Sequence, residues 1–324
     1  MVPPGGAGIV REGTPRMTTQ MYTHPDCGRH DTGPQHVEQI ARLGAVLDGL
    51  AGDDFADLDR IEAPRAEPET LTLAHPEPFV AGIFALIPDS GTRHVDSDTM
   101  VSPHSGEAAL RAAGAVCAAV DAVIAGHSTN AFCAVRPPGH HAEADRAMGF
   151  CLFNSIAIGA LHARAKHGIA RVAVIDFDVH HGNGTQSLFW TDRDLFFGST
   201  HQMPLYPGSG AMSETGVGNI FNAPLRPDDG SREFNFAMKE RVLPALQAFS
   251  PDLILISAGF DAHRDDPLGA LNLVEDDYAW ITRELMDIAD AQCDGRLVSA
   301  LEGGYNLSAL ASSAAAHVGA LLEA

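Results

Sequence analysis

Five short runs, at residues 131–135, 171–177, 195–199, 253–257 and 296–301, are rich in Val, Ile, Leu and Phe along nearly their whole length, not at alternate positions. A strand reads this way when both its faces are buried, as in a parallel sheet covered by helices. Parallel neighbours cannot be joined by a tight turn; each crossover needs a dozen or more residues, normally helical. The stretches 106–125, 153–167, 234–249 and 275–291 are long enough to serve as such helices. The pattern predicts a three-layer α/β fold with a central, mainly parallel sheet.

With no internal repeat and no long low-complexity linker, residues 21–324 are expected to form a single domain. A loose leader over residues 1–20, carrying Pro3, Pro4, Gly5, Gly6 and Gly8, is expected ahead of it. Hydrophobic residues make up 45% and charged residues 19% of the chain, which suits a globular enzyme rather than a disordered segment. The formal charge of −21 argues against binding to nucleic acid or an anionic membrane and favours a cationic substrate, although an acidic surface also serves solubility alone. Cys27, Cys117, Cys133, Cys151 and Cys293 show no CxxC spacing, so neither a disulfide framework nor a thiolate zinc site follows. No apolar run is read as reaching the ~18 residues of a membrane span and no signal-peptide core is seen, so a cytoplasmic location is expected.

Open parallel sheets bind ligands beyond the carboxyl ends of their strands. There this chain reads RPPGHHAEADRAMGF (136–150), DFDVHHGNGTQ (176–186), SAGFDAHRDDPLG (257–269) and LEGGYN (301–306). If 176–180 continues as strand, its period of two sends Asp176, Asp178 and His180 to one side. Asp and neutral His are good zinc ligands, and a catalytic ion needs three protein ligands with one position left open. Asp261, after the fourth run, is the best candidate for the third. One Asp near a strand end is usually a helix cap or an Arg partner. Alternating polar residues at a buried strand end are harder to explain without an ion. Carboxylate-rich sets are less zinc-selective than thiolates, so Fe(II), Mn(II) or Co(II) could substitute.

His140 and His141 follow a rigid Pro-Pro-Gly turn. Two imidazoles can divide the proton transfers of amide hydrolysis, with Asp176 and Asn183 the nearest residues to fix their tautomers. Most of the 16 histidines need no such role. A lone Tyr is usually packing, but Gly303 and Gly304 let the backbone bend to project Tyr305, whose phenol could donate to a developing oxyanion.

Together RPPGHHAE, GFCLFNS, DFDVHHGNGTQ, STHQ, LISAGFDAHRDDPLG and LEGGYN resemble the histone deacetylase family, especially its class II branch and bacterial relatives, over residues 21–322. The resemblance implies an arginase-like fold with an eight-stranded, mainly parallel sheet, and a zinc-dependent deacetylase. It assigns zinc to Asp178, His180 and Asp261, the general base to His141, electrostatic help in leaving-group protonation to His140, and carbonyl polarisation to Tyr305. Asn183 behind the histidine pair is similar to the class II pattern. A potassium ion is implied at Asp176, the Asp178 and His180 backbone, Ser199 and Thr200. Gly149, Phe150 and Tyr206 match the walls of an acyl-lysine channel, Leu268 a rim position, and Asp98 a residue holding the substrate backbone or amide.

The implied substrate is an acetylated or longer acylated lysine in a peptide or protein; an acetylated polyamine is the alternative, weakened by the non-acidic Leu268. Self-association is left open. An acyl-lysine binding module without activity is disfavoured by the intact residue set, and a two-metal arginase-type hydrolase by the single-metal pattern with Tyr305. One departure stands out. Where many relatives read GPxHPER, residues 33–39 lack the Pro and put Gln39 at the Arg position, which places acetate release in question.

Overall fold

The computed structural model describes residues 18–323. In chain order the strands are β1 (Thr19–Thr23), β2 (Asp59–Glu62), β3 (Arg93–His94), β4 (Met100–Val101), β5 (Asn130–Cys133), β6 (Val172–Asp176), β7 (Leu195–Gln202), β8 (Ile220–Leu225), β9 (Leu253–Ala258) and β10 (Leu297–Leu301). The α-helices are α1 (Ala41–Gly49), α2 (Pro68–Leu71), α3 (Glu77–Leu86), α4 (Ser105–Ala125), α5 (Ser155–His167), α6 (Asn183–Phe189), α7 (Ser231–Ala237), α8 (Leu243–Phe249), α9 (Glu275–Cys293) and α10 (Leu307–Leu321).

Eight strands form one sheet in the order β2-β1-β5-β10-β9-β6-β7-β8, and β3 pairs with β4 in a small ladder. Every pairing within the large sheet is parallel. The central strands β5, β6, β9 and β10 are buried at every residue, as continuous apolar runs require. The arginase/deacetylase-like α/β fold and its eight strands are therefore as expected. Five strands and three of the four predicted helices, α4, α5 and α9, fall within a few residues of their predicted ranges. The edge strand β2 was missed because Asp59, Arg60 and Glu62 face solvent. Likewise β8 carries Asn222 and Pro224, and proline is tolerated at a sheet edge.

Some expectations need correction. Strand β1 begins at Thr19, so the end of the predicted leader is structured; residues 1–17 lie outside the described residues. Chain 177–180 is not strand: β6 stops at Asp176 and the backbone bends. The predicted helix 234–249 is divided into α7, a π-turn over Met238–Val242, and α8. Pro244 lacks an N–H to donate into the preceding turn, which opens the ladder there. Finally, α4 is long and apolar enough by length and composition to cross a membrane, contrary to the reading of the apolar runs. Most of its residues are buried in this fold, and it packs against α5, which makes it a core helix.

Local signals set the helix ends near the pocket. Asn154 caps α5 by accepting from Ala157 N, and Gly168 ends that helix in the left-handed region. Asn306 caps α10 through Ser308 N and Ala309 N, so a helix begins two residues after Tyr305. The loops after β5, β10, β9 and β6, four neighbouring strands, thereby converge at one edge of the sheet.

Candidate metal and proton-transfer site

Asp178, His180 and Asp261 meet at that edge, each offering a ligand atom within 4.8 Å of the others. The bend after β6 brings them together: His180 N donates to Asp178 Oδ1 at 2.9 Å, and Val179 N donates to Asp261 Oδ1 at 2.8 Å. His180 Nδ1 lies 3.1 Å from Asp178 Oδ1 and 3.0 Å from Asp261 Oδ2. Backbone closes the other side. Gly303 N donates to Asp178 Oδ2 at 2.8 Å, and a Cβ on Gly303 would overlap the carboxylate oxygens of Asp178 and Asp261. Only glycine allows this approach.

Two buried carboxylates on one imidazole nitrogen require a cation. Burial opposes a charge on His180, but hydrogen bonds to Asp178 and Asp261 outweigh it and lift the ring to about 10. Burial raises Asp261 to about 7, with the neighbouring Asp178 charge adding to the effect. Asp178 is also buried, yet His140 and His180 hold it below the ordinary carboxylate range. A divalent ion would satisfy both carboxylates and leave the imidazole neutral, so the donor set fits one.

The tandem histidines stand beside this trio, their ring centroids 4.0 Å apart. His140 Nδ1 is 2.9 Å from Asp176 Oδ2, and His141 Nδ1 is 2.8 Å from Asn183 Oδ1. Asn183 Nδ2 donates to Glu143 Oε1 at 2.8 Å, which turns its carbonyl oxygen toward His141. The ring proton of neutral His141 therefore sits on Nδ1 and the Nε2 lone pair is free. Burial pushes His141 well below its ordinary value, and the charges of His140 and His180 push the same way. Burial acts downward on His140 too, but Asp176, Asp178 and Glu302 outweigh it and raise the ring well above. Adjacent imidazoles are thus driven apart, one neutral and one charged.

Gly304, at φ 123°, turns the chain so that Tyr305 flanks the trio, and the Tyr305 backbone N donates to Asp266 Oδ2 at 2.7 Å. Burial raises the phenol well above 10, and Asp261 adds to this, so it keeps its proton. Below it lies a buried ionic network that the sequence reading missed. Arg42 donates to the carbonyl oxygens of Gly304 and Glu302, pairs with Glu38 at 2.8 Å, and sets its guanidinium 4.9 Å from the Tyr305 ring centroid. Arg136 grips the same Glu38, and Glu302 Oε2 accepts from Gly139 N at 2.6 Å and His140 N at 3.1 Å.

This network corrects the reading of residue 39. Gln39 is exposed, while Arg42, three residues later, is fully buried beside Tyr305. A buried arginine therefore stands beside Tyr305 three residues beyond Gln39. The i, i+4 spacing of Glu38 and Arg42 was the available signal.

A pocket of about 260 Å³ opens onto the site, lined by Asp98, His141, Gly149, Phe150, His180, Leu205, Tyr206, Leu268 and Tyr305. All five predicted channel residues are in this wall, and Leu205 is an addition. Phe150 takes φ 68°, a backbone region uncommon for a non-glycine residue and typical of ligand clamps. Gly149 N donates to Asp98 Oδ1 at 3.1 Å and Phe150 N to Thr99 Oγ1 at 3.1 Å, which holds that turn. Asp176 and Ser199, buried partners across β6 and β7, and neighbouring Thr200 lie behind the trio's loop, with Ser199 Oγ 2.9 Å from His201 Nδ1.

Comparison with known proteins agrees with this geometry. Residues 36–321 match the histone deacetylase domain. The histone deacetylase-like amidohydrolase of Pseudomonas aeruginosa is 40% identical over 289 residues, 87% of this chain and 74% of that protein. Rice chloroplastic histone deacetylase 10 is 38% identical over 301 residues, 86% of this chain and 68% of that one. The crystal structure of the HDA15 HD domain superposes with a TM-score of 0.90 at 35% identity, covering 95% of this chain and 88% of that one.

Proposed function

The chain belongs to the histone deacetylase family of hydrolases, and on that premise we propose that it removes acetyl or longer acyl groups from the Nε of lysine in peptides or proteins, with one zinc ion held by Asp178, His180 and Asp261. The observation that carries this reading is the placement of the trio at a narrow pocket whose wall holds both a free imidazole base and a protonated phenol. Gly149, Phe150, Leu205 and Tyr206 suit a slender alkyl stem. We also assign potassium to the buried oxygens of Asp176, Ser199 and Thr200 and the backbone of Asp178 and His180.

A zinc ion at the trio would polarise the amide carbonyl and acidify water. His141 Nε2 takes a proton from the water that adds to the carbonyl carbon. Tyr305 donates a hydrogen bond to the carbonyl oxygen as its charge grows. His140, charged and anchored to Asp176, favours protonation of the departing nitrogen. The C–N bond breaks, leaving a free amine and a carboxylate.

A second reading has one observation in its favour. Asp96 and Asp98 stand together near the pocket mouth, with Asp98 N donating to Asp96 Oδ1 at 3.0 Å, and could hold a second ammonium group of an acetylated polyamine. Leu268, in the pocket wall, supplies no such charge. Rates on an acetyl-lysine peptide and on N-acetylputrescine separate the two. The peptide is expected to have the higher kcat/KM by at least about tenfold, some 1.4 kcal/mol of transition-state binding; a preference of that size for the diamine would overturn the lysine reading.

A further inference from the structure

At the opposite edge of the sheet, Asp121 on α4 meets His162 and His167 on α5, the other group among the described residues whose ligand atoms lie within 4.8 Å of one another. We propose that these three side chains form a second binding site for a divalent transition metal, which clamps α4 to α5.

The geometry is specific about atoms. His162 Nε2 lies 2.8 Å and His167 Nε2 2.6 Å from the same oxygen, Asp121 Oδ1. Lys166 Nζ takes the other oxygen, Asp121 Oδ2, at 2.7 Å. The carboxylate therefore presents one oxygen, in monodentate fashion, to two imidazole nitrogens, while the lysine orients it from behind. Ligand atoms around a tetrahedral zinc ion sit roughly 3.3 Å apart, given Zn–N and Zn–O bonds of about 2.0–2.1 Å. The two imidazole-to-carboxylate separations, 2.8 and 2.6 Å, would widen by roughly 0.5–0.7 Å to reach that spacing. Each neutral imidazole frees Nε2 for an ion by moving its proton to Nδ1, so binding need not release a proton.

The helices favour the arrangement. His167 is the last residue of α5, and Gly168 then turns into the left-handed region. The two rings end 6.0 Å apart at their centroids although they stand five positions apart in the chain. The side chains of His162, His167 and Asp121 are 15%, 21% and 34% exposed, so an ion could enter from solvent yet would be largely enclosed. Two imidazoles and one carboxylate suit zinc, nickel or copper better than calcium or magnesium. Because α5 leads directly into the amino end of β6, the site is remote from the pocket at the strands' carboxyl ends.

Equilibrium dialysis of the zinc-loaded enzyme against micromolar free zinc, followed by elemental analysis, tests the proposal. The wild type is expected to hold one more zinc per chain than the double variant His162→Ala, His167→Ala. The added metal should also raise the wild-type Tm and leave that of the variant unchanged, with amide hydrolysis retained in both. Asp121→Asn, a smaller change with far-ultraviolet circular dichroism as its folding check, should lose the same equivalent. Equal zinc content in the wild type and a folded variant would overturn the second site and leave an interhelical ion pair.

Discussion

Tyr305 is held from three directions: its backbone N by Asp266, its ring by the Arg42 guanidinium, and its approach by Gly304. With its position fixed by other groups, the phenolic oxygen can be removed without moving the loop. Tyr305→Phe is expected to lower kcat about 10²–10³-fold, the cost of one oxyanion donor, with KM little changed. Steady-state kinetics on an acetyl-lysine peptide check this, and an unaltered kcat would refute the role. The two residues at issue over product release should behave oppositely. Gln39→Arg, on the surface, leaves turnover unchanged; Arg42→Ala takes one of two guanidinium partners from buried Glu38, leaving Arg136, and should cost about 1–3 kcal/mol in denaturant unfolding. The metal trio and the histidine pair could be read from the motifs, because short-range spacing and chemistry identified them. Arg42 was not read, because its importance depends on where α1 lies relative to the Gly303–Gly304 turn.

Elements are joined at the pocket by charge as much as by packing. Glu38, at the entry to α1, binds Arg136 in the loop after β5 and Arg42 within α1, and so ties that loop to α1. Burial alone would raise the Glu38 carboxyl, but the two guanidinium groups more than reverse this and bring it from 4.5 to about 2. A carboxylate depressed by folding stabilises the native state above its unfolded pKa, and that contribution disappears as pH falls through the folded one. The stability advantage of wild type over Glu38→Gln should therefore be full above pH 4.5 and shrink as pH falls toward about 2. Urea unfolding at several pH values measures it; a gap independent of pH across that window would contradict the assignment. At this scale the sequence revealed the fully buried strands, whose apolar runs leave no alternative. The edge strands β2 and β8 were hidden by solvent-facing charge and by Pro224. The bend after Asp176 was hidden too, since alternation alone also fits an extended chain.

Across the whole molecule, the parallel sheet places four loops of different sequence origin around one pocket, and this is why motifs scattered from residue 136 to residue 306 act as a unit. The fold alone does not determine chemistry. That depends on a buried donor set in need of a cation, beside an imidazole and a phenol at one pocket. Hydrolysis of an acetyl-lysine peptide by protein stripped of metal with a chelator, then resupplied with zinc, tests the central claim most directly. Stripping should abolish turnover and zinc should restore it in the wild type, but not in Asp178→Asn, a variant that keeps the size of the side chain and removes its charge. Undiminished turnover by protein shown by elemental analysis to hold no transition metal would contradict the account.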